Sequence, residues 1–266
     1  MQFETNARGG WVIPANTVIP DGTEIPAWSD LGESCTLGAV CKIGVNCTLG
    51  AGCTLDVNCT LGAGCKIGVG CEIDASCEIG VSCTFSAYCT LGVFCEIGAS
   101  CTFGENCTLG ESCELGNGCA LGAHCTLGAG CKIGAYCEVS ESCKIGAYCE
   151  VSESCKIGAF CEIGNSCWLG AFCEIGNDCK LGNCCTLGAG CTLGAETQWL
   201  RVTVESWLTL ANVDGSGRQV KIVKHAEGVR VEAGCFQGTL EEFCTRAASE
   251  GKDRYVRVIS AVATTM

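Results

Sequence analysis

The sequence predicts a mainly β chain: a parallel β-solenoid of six-residue units, closed at its C-terminal end by a small α+β domain. Three observations predict it. Cysteine recurs at every sixth position from Cys35 to Cys191 without a gap. Leu, Ile, Val or Phe stands two places after each of these cysteines, from Leu37 to Leu193. After Ala195 the hexads stop, and segments with strand and then helix periodicity take over.

Composition sets the outer limits. The 266 residues carry a net charge of −13, with 38 Gly, 30 Cys and only 3 Pro. That excludes an ordinary globular composition. No run approaches the ~18 apolar residues of a membrane span. The start, MQFETNARGG, lacks a basic segment followed by an apolar one, so no secretory signal is expected. A reducing cytoplasm follows as the expected location, and a disulfide framework does not. The acidic balance argues against nucleic acid or an anionic membrane as partner.

Residues 1–10 read as a lead-in. The hexad register begins at Trp11, with units WVIPAN, TVIPDG, TEIPAW and SDLGES. Ile13, Ile19, Ile25 and Leu31 hold the aliphatic place, and Pro14, Pro20 and Pro26 hold the place that Gly takes later. The solenoid is therefore expected over 11–196. In each unit the cysteine and the aliphatic, two apart, share the inward face of a short strand, and the residue between them points out. Gly and its neighbours are expected to turn the corner. Three hexads make a triangular coil, and coils stack at ~4.8 Å through parallel ladders.

The pattern in CTLGAGCKIGVG and its copies resembles the hexapeptide-repeat family, over more than two thirds of the chain. The resemblance implies a left-handed parallel β-helix; the hand comes from the family alone, because parallel crossovers are otherwise right-handed. Many members are acyltransferases using acyl-CoA or acyl-carrier donors, with a histidine near an extruded loop in a trimer cleft. This chain departs from that pattern. No loop interrupts the hexads from 35 to 194, His124 stands at a corner (GAHC), and His225 lies outside the repeats. The zinc carbonic anhydrase branch needs three histidines. An ice-binding Thr array is broken here by Lys and Glu. A DNA mimic would not intersperse six Lys among the fifteen carboxylates of residues 35–195. The expected function is a non-enzymatic structural or interaction protein. A soft-metal or redox thiol store and an acyltransferase are the alternatives. Trimers are common in the family, so a homo-oligomer is compatible.

With three hexads per coil, outward residues form three ladders, beginning Thr36–Thr54–Glu72, Lys42–Thr60–Glu78 and Thr48–Lys66–Thr84. Opposite charges alternate late in each: Lys144–Glu162–Lys180, Glu114–Lys132–Glu150 and Glu138–Lys156–Glu174. Such walls are expected to solubilise the rod and fix its pairing. The string KIGAYCEVSES occurs at 132–142 and again at 144–154. A twelve-residue copy is two-thirds of a coil, so everything after it moves to another face. A site built across coils on one face there would be broken by it.

Packing explains the cysteines to first order, since Cys is a small buried hydrophobe with an inert thiol in apolar surroundings. Thr17, Thr23 and Ser29 fill the same place. The alternative is metal, with Cys35, Cys53, Cys71, Cys89 and Cys107 as the candidate ladder. Collinear sulfurs do not offer zinc its tetrahedron, and no cofactor is expected. Cys184 and Cys185 should point outward and inward.

In the C-terminal segment, 197–266, WLRVTVESWLTLANV, QVKIVKH and VRVEAGCF read as strands. Thr239-Leu-Glu-Glu242 reads as a capping box, and Tyr255, Val258, Ile259 and Val262 fall at the spacing of a second helix. The domain would cover the apolar core exposed by the last coil. GCFQGTLEEF is similar to the tails of uncharacterised phage-encoded proteins. Trp168, Trp199 and Trp207, with Phe160 and Phe172, are the candidate interface to a protein partner of unknown identity.

Overall fold

A computed structural model describes residues 3–182, 184–188, 190–194, 198–199, 207–211, 219–225, 228–233 and 236–265. From Trp11 to Leu193 each hexad contributes one short strand, such as Thr36–Leu37, Lys42–Ile43 and Thr48–Leu49. Each strand pairs in parallel with the strand 18 residues on: Thr36 with Thr54, Lys42 with Thr60, Thr48 with Lys66. The product is a three-sided parallel β-solenoid of about ten turns. Its sides are called here the Thr36, Lys42 and Thr48 faces.

Alternation puts cysteine and aliphatic inside and the residue between them outside. The ladder cysteines from Cys35 to Cys185 are at most 1% exposed, and the aliphatics from Leu37 to Leu187 at most 4%. Phe85 and Phe103 stack in this core, centroids 4.5 Å apart.

The corner differs from the sequence expectation. The left-handed backbone falls on the residue just before each cysteine, as in Asn46 (φ +57°), Ser100 (φ +59°) and Gly70 (φ +65°). The repeat glycine, two places earlier in the hexad, serves close approach instead. A Cβ on Gly98 would lie 2.7 Å from the backbone nitrogen of Val81 in the coil beneath. The glycine N–H also donates downward, from Gly50 to the Leu31 carbonyl at 2.8 Å.

That bond explains the three prolines. They occupy the same place in the first coil, where no solenoid coil lies beneath to accept a hydrogen bond. Losing the N–H costs nothing there, and it removes donors from an open sheet edge.

The lead-in holds an element that the sequence pattern does not show. Glu4–Thr5 pairs antiparallel with Trp11 and Val12. Asn6 then donates to the Trp28 carbonyl at 2.6 Å and to Asp30 Oδ2 at 2.9 Å. The Arg8 guanidinium lies 4.3 Å from the centre of the Trp28 ring.

At the other end the three faces stop differently. The Thr48 face ends at Thr192–Leu193 and the Thr36 face at Gln198–Trp199. The Lys42 face continues. Trp207–Ala211 pairs in parallel with Thr186–Leu187, and Gln219–His225, Gly228–Ala233 and Phe236–Thr239 follow antiparallel. The expected 199–213 strand is thus represented by two short strands, with 200–206 and 212–213 outside the described residues. VRVEAGCF belongs to two strands rather than one. Helix α1 spans Leu240–Ser249, and α2 spans Asp253–Thr265. The capping box forms: Glu242 N donates to Thr239 Oγ1 at 3.2 Å, and Thr239 N donates to Glu242 Oε2 at 2.8 Å. Val220, Ile222 and Val231 of the sheet are buried, as are Phe243, Ala247 and Ile259 of the helices. No helix of the described residues is long and apolar enough to cross a membrane.

Candidate functional site

The thiols form the largest constellation of reactive groups in the chain. Each ladder cysteine donates its S–H to a backbone carbonyl 21 residues earlier, one coil down. The Cys35 bond to Pro14 is 3.2 Å, Cys107 to Ser86 3.3 Å, and Cys191 to Gly170 3.1 Å. The acceptor is always the residue at the glycine place. In the first coil hydroxyls bond that same carbonyl set from within their own coil: Thr23 to Pro20 at 2.6 Å and Ser29 to Pro26 at 2.8 Å. The inward position therefore asks for a small side chain that also donates. A thiol meets both needs with less polar surface to desolvate than a hydroxyl. Packing alone misses the donor, because its acceptor is remote in sequence.

Burial sets the state of these groups. It pushes the Cys35 and Cys41 thiols above their ordinary range. Deeper in, successive thiols of one ladder act on each other: Cys47 and Cys83 push Cys65 up, and Cys101 and Cys65 pull Cys83 down. The candidate ladder of Cys35, Cys53, Cys71, Cys89 and Cys107 is fully buried. Among the described residues, no group of three or more His, Cys, Asp or Glu side chains is placed to hold a metal. Cys184 is half-buried at a corner, with φ +58°, and Cys185 is buried.

The corners carry a second feature. Tyr88, Phe94, Tyr136, Tyr148, Phe160 and Phe172 all have φ between +58° and +61° and are 57–69% exposed. Left-handed backbone costs a bulky L-residue about 1–2 kcal/mol. These side chains therefore hold unfavourable backbone while giving nothing to the core. The sequence shows them as residues preceding cysteine, but not their backbone strain.

The walls are laced as expected only in part. Lys132 meets Glu114 at 2.6 Å, and Glu162 lies between Lys180 at 3.3 Å and Lys144 at 3.9 Å. Glu138, Lys156 and Glu174 stack in register without closing into ion pairs, and line a shallow depression of about 480 Å³ with Thr192. Trp168 sits between Glu150 and Thr186 on the Lys42 face and is 49% exposed. Trp199 stands opposite Leu181 in the last pairing of the Thr36 face, and Trp207 opposite Val223 in the continued sheet. His124 is another corner residue with φ +60°. His225 ends the strand Gln219–His225 of the sheet beyond the solenoid.

A family model described as bacterial transferase hexapeptide (six repeats) matches residues 94–129, 124–159 and 160–195. The match spans 102 of the 266 residues and, with the three-sided parallel coil, supports a hexapeptide-repeat β-helix. No curated protein and no solved structure gives a significant match.

Proposed function

We propose that this chain is a non-enzymatic structural rod that docks a protein partner along its aromatic corners and near its C-terminal junction. The corner aromatics carry the reading. A mere spacer gains nothing from six bulky side chains on left-handed backbone in solvent, whereas Asn, Ser and Gly fill the same place elsewhere at lower cost. The unbroken hexads support it, because family transferases place their histidine beside an extruded loop.

Two measurements test it. Calorimetric titration with coenzyme A and acetyl-coenzyme A should give no saturable heat; saturable binding would favour an acyltransferase. Radical footprinting of the rod in its native extract and after purification should show Tyr136, Tyr148, Phe160 and Phe172 protected only in the extract. Equal labelling in both would refute docking at the corners.

A further inference from the structure

The thiol ladders have a geometric property that their packing role does not use. Each ladder cysteine makes the same thiol-to-carbonyl bond, at 3.1–3.4 Å, so one side-chain conformation repeats along the rod. Successive Sγ atoms in a ladder are then separated by the strand spacing, ~4.8 Å. That spacing is too wide for a disulfide, whose Cβ atoms stand about 3.5–4.5 Å apart. It also denies zinc its four tetrahedral sulfurs. It does suit one kind of ion. Two metal–sulfur bonds of about 2.3 Å placed end to end span ~4.6 Å.

We propose that each ladder is an array of two-sulfur clamps for soft, thiophilic cations of collinear coordination, each clamp a separate pair of successive cysteines holding one cation. The chemistry balances without buried charge. A divalent cation forms two metal–sulfur bonds while two S–H bonds break and two protons leave to solvent. A monovalent cation displaces one proton, and the second sulfur binds as a thiol. Either product is neutral, so the penalty for burying an ion is largely avoided. Soft cations select thiolate over oxygen ligands. Each ladder of nine thiols holds four clamps, so the three ladders hold twelve. Cys191, at the C-terminal end of one ladder, is partly exposed and gives an entry point. This inference is independent of docking at the corners.

The probe is mercuric ion, added to the reduced full-length chain and counted by native mass spectrometry. Twelve ions beyond those on Cys184, Cys235 and Cys244 are expected, with loss of the S–H stretch in the infrared. Two variants separate clamps from single thiols. Replacing alternate thiols (Cys53→Ser, Cys89→Ser, Cys125→Ser, Cys161→Ser) leaves five without a ladder neighbour and should lose four ions. Replacing consecutive thiols (Cys107→Ser, Cys125→Ser, Cys143→Ser, Cys161→Ser) removes as many sulfurs but should lose only two. Equal losses would overturn the proposal, as would binding confined to the three cysteines outside the ladders. If a variant does not fold, X-ray absorption on the loaded wild-type chain decides: two collinear sulfurs per ion support the clamps, and three or four overturn them.

Discussion

The thiol of Cys107 donates to the carbonyl of Ser86, 3.3 Å away and one coil below. Cys107→Ala removes that donor and leaves both a small void and an unpaired buried carbonyl. A loss of about 1–3 kcal/mol is expected. Cys107→Ser keeps a donor and should cost less. Denaturant melts of the two variants decide the matter, and a serine variant no more stable than the alanine one would remove the donor role.

Glycines of the two kinds should respond oppositely. At Gly98 an added Cβ would lie 2.7 Å from backbone of the coil beneath, so Gly98→Ala should cost about 1–3 kcal/mol through overpacking. Gly70 has φ +65° and open space around it, in the place that Asn46 and Asn58 fill. Gly70→Asn should leave the melting temperature nearly unchanged.

Tyr148 holds φ +60° while 69% exposed. Asn accepts left-handed backbone more readily, so Tyr148→Asn should stabilise the isolated rod by about 1 kcal/mol. A fall in stability would mean that the ring packs favourably on its neighbours, and the cost argued for the corners would vanish.

Glu78, Glu96 and Glu114 stand in register on consecutive strands of the Lys42 face. Like charges directly opposite each other repel. Glu96→Lys converts the run to alternating sign and should stabilise by about 0.2–1 kcal/mol at low salt, with the gain shrinking as salt is added. A gain that does not change with salt would show another cause.

Alkali should weaken the rod. Burial raises Cys35 and Cys41, and the next thiol of the ladder, Cys113 and Cys131 in turn, pushes Cys95 and Cys113 up to about 11. A thiol with a raised folded pKa binds its proton more tightly in the folded state. Its contribution is complete below the unfolded pKa, near 8.5, and is lost as pH rises through the folded value. Thermal melts should therefore fall between about 9 and 11. A level profile to pH 11 would contradict this.

The solenoid was legible because its burial rule repeats in sequence: Cys35 and Leu37 point in, Thr36 points out, and the next hexad obeys the same rule. What was hidden depends on contacts between coils. The carbonyl that Cys107 bonds is 21 residues away, and the backbone that excludes a Cβ at Gly98 is 17 residues back. Neither offset is visible within a unit. The pairing of Glu4–Thr5 was hidden for another reason, since two residues carry no period. The outward position of Trp168 was legible from its place in the hexad, but the corner strain of Tyr136 and Tyr148 was not, because its signal is a backbone angle.

The copy of residues 132–142 at 144–154 bears on direction as well as length. Each added hexad advances the chain by a third of a revolution, so the count of units sets the azimuth at which the C-terminal sheet leaves the prism. That sheet now departs from Thr186–Leu187. Without the twelve extra residues, the same strand would emerge where Glu174–Ile175 lies, on the Thr48 face. Duplication of hexads thus works like an indexing dial, turning the terminal sheet relative to the N-terminal end by whole faces while leaving the interior unchanged.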